Sequence, residues 1–469
     1  MAKLFVIPSE AGSGPALPLH AVLQRDLNPF LERLAPSESA WLKATAFGAK
    51  DGELAFLPGA DGALAGAVLG LGKGLDVHAL ALFSERLPKG SYRLETVPPG
   101  FGGTRAAYAW IIGTYRFGRY RKRSGNSGEP ESPRLVVPEG VDAAAVTRMA
   151  EAVFLARDLI NTPANDMGPA ELEQAARALA MRHAGEVHVI EGDALLREGY
   201  PLVHWVGRAS ARPPRLIDII WGNAEHPKVT LVGKGVCFDS GGLDLKSASG
   251  MATMKKDMGG AACVLAVASM VMGGELPVRL RVLIPAVENS VSGSAFRPGD
   301  VLPSRKGLHV EIGNTDAEGR LILADALAEA DNETPALMFC VATLTGAARA
   351  ATGMELPPFF TDDDTLASDL IDCGREENDH LWRLPLWRSY DSAIDSSIAD
   401  VNNAPDYPLA GAITAALFLD RFVTNAKCWA HFDIPAWVDR PKPGRRRGAE
   451  ANGSRAMFAV IARRFGREL

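Results

Sequence analysis

The 469-residue sequence predicts an α/β protein: a small N-terminal α/β domain, then a larger C-terminal domain whose central mixed sheet is flanked by helices. Three observations predict it. Short apolar runs of strand length alternate with stretches of helical spacing through the later part of the chain. Residues 119–134, RYRKRSGNSGEPESPR, break the pattern with a polar segment containing Gly, Ser and Pro, which reads as an exposed loop or linker. Hydrophobic residues make up 47% of the chain, enough for a full core, and at roughly 150 residues per domain two unequal domains fit as well as three.

The elements follow in order. Residues 63–71 are apolar and Gly-rich, and 77–86 have helical spacing. Residues 141–159 read as a helix, with apolar side chains at Val146, Met149, Val153 and Leu155. A boundary near 135–160 follows, giving an N-terminal domain at 1–140, a linking helix at 141–160 and a second domain at 161–469. Strands are expected at 187–190, 216–221, 229–232, 280–285, 310–312 and 336–343. Helices are expected at 258–272, an unusually apolar stretch, and at 320–330. No internal repeat or heptad array is present.

Charge and cysteine usage narrow the function. Lys and Arg number 50 against 56 Asp and Glu, a net charge of −6, which argues against a nucleic-acid or anionic-membrane binder. The basic runs at 119–123 and 440–447 read as solvated loops. The opening MAKLFVIPSE has an apolar run too short for a signal peptide, and the charge-free run 258–274 is short for a bilayer span and reads as a buried helix. Five widely spaced cysteines form no CxxC pair, and no HExxH occurs. A reduced, cytoplasmic protein is expected, and any metal would have to be held mainly by carboxylates.

Two segments concentrate polar residues. In 232–260 a strand runs into Gly233-Lys234-Gly235 and then Asp239-Ser240-Gly241-Gly242, followed by Lys246 and by Asp257 at the start of the apolar helix. Lys234 and Asp239 fall at the carboxyl end of a strand, where open α/β sheets bind ligands. In NTDAEGRL, residues 314–321, an extended chain would turn Asp316, Glu318 and Arg320 to one place. Paired carboxylates repel unless a cation or proton intervenes. Taken singly, each residue has an ordinary reading: a solvated turn for GKG and DSGG, helix caps for Asp257, Asp316 and Glu318, a surface cation for Lys246.

Jointly, these segments resemble the leucyl aminopeptidase (cytosol aminopeptidase) family. NTDAEGRL, GKGVCFDSGG at 233–242, Lys246 and MKKDMGGAA at 254–262 match its diagnostic stretches in order and spacing. Weaker matches lie at 159–165 (LINTPAN), 297–300 (RPGD), 342–346 (ATLTG) and 431–437. The resemblance covers about residues 155–469, and the first 140 residues carry no motif of it. It implies an aminopeptidase that releases N-terminal residues from peptides, Leu-like ones preferred, by attack of a hydroxide held between two divalent metals. Lys234, Asp239, Asp257, Asp316 and Glu318 would be the ligands, with Asp239 and Glu318 shared by both ions. Lys246 and Arg320 would be catalytic, with a bicarbonate on Arg320 as general base. Met254, Thr343 and Gly346 would line the pocket for the first side chain. Zn²⁺ or Mn²⁺ is expected, with Mg²⁺ or Co²⁺ also admitted by such donors. Four carboxylates balance two such ions, and Lys234 can ligate only as a neutral amine. A cytoplasmic homohexamer is implied as well. The alternative is a catalytically weak relative that acts as a binding protein. One departure stands out: residues 433–436 read DIPA where the family has a DIAG-like run, and Pro435 offers no amide hydrogen.

Overall fold

The computed structural model describes residues 5–6, 16–74, 76–121 and 132–466. Most of the polar stretch 119–134, and most of the opening ten residues, lie outside these. The chain divides into two compact units, Met1–Glu151 with Arg440–Arg446, and Ala152–Asp439 with Arg447–Leu469.

The first unit is built on a six-stranded sheet in the order Phe5–Val6, Arg134–Val136, Ser91–Thr96, Leu17–Val22, Leu64–Gly70, Leu54–Pro58. All its pairs are parallel except the last. The apolar stretch 63–71 is its strand Leu64–Gly70. The helical spacing at 77–86 forms a 3-10 turn, Val77–Leu80, that runs into the helix Ala81–Arg86. Leu19, Val68, Phe83 and Trp110 are buried in its interior. The helix expected at 141–159 forms over Ala143–Asn161.

The second unit carries a nine-stranded mixed sheet. Its order is Trp382–Arg383, Pro358–Phe360, Trp429–Asp433, Leu337–Ala342, Lys228–Gly233, Arg279–Asn289, Arg215–Trp221, Glu186–Glu191, and Gly235–Asp239 also pairs with Arg279–Asn289. The centre is parallel: Leu231 lies opposite Val282 on one side and Phe339 on the other. Strands covered on both faces must be apolar throughout, and all six residues of Leu337–Ala342 are buried. The edge strand Glu186–Glu191 is antiparallel to its neighbour and retains polar residues.

Successive strand residues face opposite sides. Val232, Leu283, Met338 and Cys340 pack into one cluster with residues of the helices Pro201–Gly207, Glu318–Asp331 and Gly411–Asp420. The other face meets the helix Gly259–Gly273. A Cβ on Gly233 would fall 2.5 Å from Val264, and one on Gly260 would fall 2.1 Å from the Val341 carbonyl oxygen. Glycine at 260 therefore lets the helix start hard against the strand ends. The stretch Met254–Gly273 is long and apolar enough to cross a bilayer, but most of it is buried inside the protein.

Candidate functional site

Lys234 occupies the single position between the strands Lys228–Gly233 and Gly235–Asp239. The expected GKG loop is thus a one-residue kink between two paired segments. Its backbone is held on both sides: Lys234 N–H donates to Val341 O (3.0 Å), and Ala261 N–H donates to Lys234 O (2.9 Å). The side chain is buried, with Nζ 2.8 Å from Asp257 Oδ2 and 2.9 Å from Glu318 Oε1, and it donates to Thr343 O at 3.1 Å.

Asp239 closes the second strand segment. Its Oδ1 accepts from Gly241 N–H (2.8 Å) and Asn289 Nδ2 (3.0 Å), and its Oδ2 lies 2.8 Å from Lys246 Nζ. The same ammonium lies 2.5 Å from Asp316 Oδ1. One carboxylate oxygen from each of Asp239, Asp316 and Glu318 falls within 4.8 Å of the other two.

Two local expectations need correction. Residues 316–320 do not stay extended, because the helix Glu318–Asp331 begins at Glu318 after a turn at Ala317. Asp316 and Glu318 converge through this turn-to-helix junction, whereas Arg320 in the first helical turn reaches a separate part of the cleft. There Arg320 Nη1 donates to Asn403 O at 2.5 Å, and the guanidinium lies 5.9 Å from the Phe418 ring centroid. Asp257 does not cap the apolar helix. It lies in the 3-10 turn Met254–Met258, and the helix N-cap position is Met258. The carbonyl of Lys234, at the kink between the strands, already takes one early helix N–H, that of Ala261, so the Asp257 side chain is left for the cluster. Its Oδ1 accepts from Thr343 Oγ1 at 2.6 Å.

The supporting residues had no motif to announce them. Asn403 Oδ1 accepts from Gly313 N–H (2.8 Å) and Asn314 N–H (3.2 Å), and Asn403 Nδ2 donates to Asn314 O and Ala317 O. One buried amide therefore fixes the whole approach to Asp316. Asp244 Oδ2 accepts from Thr315 N–H (2.7 Å), and Asn289 Nδ2 also donates to Thr315 O. Asp433 fixes the ATLTG segment by accepting from Leu344 N–H, Thr345 N–H and Thr345 Oγ1. At the DIPA departure, Ile434 N–H donates to Ala342 O (2.8 Å), and Ala436 takes φ 50°. We expect Asn403→Ala to cost about 1–3 kcal/mol, because two backbone N–H groups lose their acceptor. Urea unfolding would measure it, and an unchanged midpoint would remove Asn403 as the organiser of this turn.

The electrostatics are those of a crowded anionic cluster. Burial pushes the Asp239 carboxyl up to about 6, and the nearby Asp257 charge adds to the rise. Burial and Asp239 push Glu318 well above the usual carboxylate range. Burial would lower Lys234, but Asp257, Glu318 and Asp239 outweigh it and hold the ammonium protonated. Lys246 moves up for the same reason, with Asp239 the main opponent of burial. Burial lowers Arg320 to about 10, and its Nε is buried with no hydrogen-bond partner. Burial likewise lowers Lys256 to about 8, against the pull of Asp257.

These residues suit divalent cations. Three carboxylates, of Asp239, Asp316 and Glu318, converge, and Asp257 reaches them through the shared Lys234; Glu318 Oε2 is buried with no hydrogen-bond partner, an arrangement that is costly unless a cation satisfies it. The donor set is oxygen-rich with one amine, which suits Zn²⁺ and Mn²⁺ among others. Met254, Thr343 and Gly346 line the adjoining cleft of about 420 Å³, together with Lys234, Lys246, Arg320 and the unpredicted Lys256 and Arg349.

Residues 154–458 match the model of the cytosol aminopeptidase family, catalytic domain, and residues 17–138 match that of the M17 aminopeptidase N-terminal domain. The chain is 41% identical to a probable cytosol aminopeptidase of Syntrophotalea carbinolica, over 83% of this chain and 81% of that protein. It is 36% identical to the Chlorobium limicola counterpart, over 88% and 90%. The 1.8 Å crystal structure of the cytosol aminopeptidase from Coxiella burnetii matches with a TM-score of 0.92 at 43% identity, covering 99% of this chain and all of that one. The bottromycin maturation enzyme BotP in complex with Mn matches at 0.85 with 32% identity, over 96% and 99%.

Proposed function

Because the chain belongs to the cytosol aminopeptidase family, and so is a peptide hydrolase acting at amino termini, we propose that Lys234, Asp239, Asp257, Asp316 and Glu318 hold two divalent cations there. The observation that carries this reading is the carboxylate cluster, in which Asp239 and Glu318 are buried and a Glu318 oxygen is left unpartnered. Bound divalent ions acidify a water nucleophile and polarise the scissile carbonyl. The chain's own residues do the rest. Lys246 is half-enclosed beside Asp239 and Asp316, so its ammonium is a ready donor to the oxyanion that develops in the transition state. Lys234 must give up its proton to ligate, and neighbouring cations favour that form. Arg320, with an unpartnered Nε–H in the cleft wall, would hold a bicarbonate as general base. Asn289 and Asn403 keep the two carboxylate-bearing loops in register.

We infer Zn²⁺ or Mn²⁺ as the working ions, and the manganese in the BotP complex supports the second. A cytoplasmic homohexamer is inferred from family membership. Met254 gives the pocket an apolar wall that supports Leu as an accepted first residue. Only a free amino terminus brings a basic nitrogen to the cluster, so residues leave one at a time. The test compares a dipeptide with its N-acetylated form in Mn²⁺ buffer. We expect cleavage of the first and at least a 100-fold slower rate on the second. Equal rates would refute amino-terminal specificity, and no cleavage of either would favour the binding-protein alternative.

A further inference from the structure

Five cations line the cleft, and three of them have partners there. Lys234 meets Asp257 and Glu318, Lys246 meets Asp239 and Asp316, and Arg320 donates to Asn403 O. Lys256 and Arg349 make no side-chain hydrogen bond or ion pair with any described residue. Lys256 is only 3% exposed, in the same 3-10 turn as Met254 and Asp257. Arg349 lies one helical turn after Gly346 on the helix Gly346–Thr352, so the two share a face. Its Nη2 lies 3.6 Å from where a Gly346 Cβ would stand, so the guanidinium covers that glycine.

Two basic side chains without a hydrogen-bonded or ion-paired partner among the described residues thus line the same cleft as Met254, Thr343 and Gly346. The carboxylates of the cluster are already committed: Asp257 to Lys234 and Thr343, Asp239 and Asp316 to Lys246. Divalent ions would take up those same oxygens, so no carboxylate of the cluster is left to pair with Arg349. A Leu side chain would strip water from both cations and offer them nothing in return. A carboxylate would satisfy both, and a guanidinium receives it in a two-pronged geometry.

We propose that this pocket selects an acidic first residue, glutamate or aspartate, held by Arg349 and Lys256. The proposal rests on the aminopeptidase reading and adds its substrate class. Met254 then packs against the methylene groups, so Leu remains a slower substrate.

The test uses the Mn²⁺-loaded full-length enzyme and a series of 4-nitroanilides of Glu, Asp, Gln, Leu and Ala. We expect kcat/KM for Glu or Asp to exceed Gln at least tenfold and to exceed Leu. Arg349→Ala and Lys256→Met should each lower the Glu-to-Gln ratio at least tenfold, while Arg349→Lys, which keeps the charge but not the two-pronged geometry, should keep only part of it. Manganese content of each variant shows that the cation cluster is intact. If Leu and Ala are cleaved and Glu is no better than Gln, this proposal alone falls. If no anilide is cleaved, the aminopeptidase reading falls and the proposal with it. A last arm compares Leu-Gly with Leu-Gly-amide. A tenfold preference for the free carboxylate that disappears in Arg349→Ala would assign the two cations to the peptide's other end and overturn the proposal.

Discussion

Exhaustive chelation is expected to abolish peptide hydrolysis, with a loss of at least about 1000-fold, and added Mn²⁺ or Zn²⁺ to restore it; a metal-bound water reaches a pKa near 7, far below that of bulk water, which sets the scale. The residues explain why nothing else in the cleft would substitute. With only the chain's own charges, Lys234 pairs with Asp257 and Glu318, and Lys246 pairs with Asp239 and Asp316, so each ammonium offsets only one of its two carboxylates. The cluster then has neither a nucleophile nor a free electrophile. The same treatment lowers thermal stability, because ions that bind only the folded chain stabilise it by about 4 kcal/mol at 1000 times their Kd. Chelated protein should therefore melt earlier and recover on metal addition. Full activity in a preparation shown metal-free by elemental analysis would sink the mechanism.

The second large effect is expected from Glu318→Gln. The amide keeps shape and volume but removes a charge from the middle of the carboxylate group. Metal content should fall below two equivalents per chain, and kcat should fall by at least about 100-fold, since changes merely adjacent to metal ligands already cost 10–100-fold. Stability should move the other way in the metal-free protein. Glu318 is buried beside Asp239, and burial with that charge pushes its carboxyl well above the usual range, so the ion is unfavourable there. The neutral amide removes that repulsion and still accepts from Lys234. A higher melt for the metal-free variant, together with lost turnover, would separate a functional carboxylate from a structural one. Retention of two metal equivalents would contradict the ligand role.

Much of this fold was legible because covered parallel strands leave a strong mark. Leu337–Ala342 is apolar without interruption, Lys228–Gly233 is interrupted after its first residue only by Thr230, and the helix Gly259–Gly273 has no charge to interrupt it. The polar side chains at the strand ends were legible through their motifs. Local geometry was less so. A GKG sequence does not reveal whether the lysine sits in a loop or at a kink, since that depends on Val341 and Ala261 arriving on either side. The placement of Glu318 in a first helical turn depended on what held Ala317, and that is Asn403, 90 residues beyond Gly313 in the chain. Lys256 and Arg349 were invisible for another reason: the second lysine of a Lys255-Lys256 pair, and an arginine on a short helix, look solvated until the walls around them are known.

The strand order also bears on how the chain is made. The strand Leu337–Ala342 fits between Lys228–Gly233 and Trp429–Asp433, yet it follows the first by roughly 100 residues. On a ribosome adding about 5–20 residues per second, the edge of Lys228–Gly233 waits about 5–20 s for its neighbour. Throughout that interval an apolar strand presents unpaired backbone groups, an invitation to pair with another chain. The new edge then waits nearly as long again for Trp429–Asp433. The centre of this sheet is completed late in synthesis, so crowded expression should favour aggregates seeded by nascent chains, and slower growth or a chaperone that shields strand edges should raise the soluble yield.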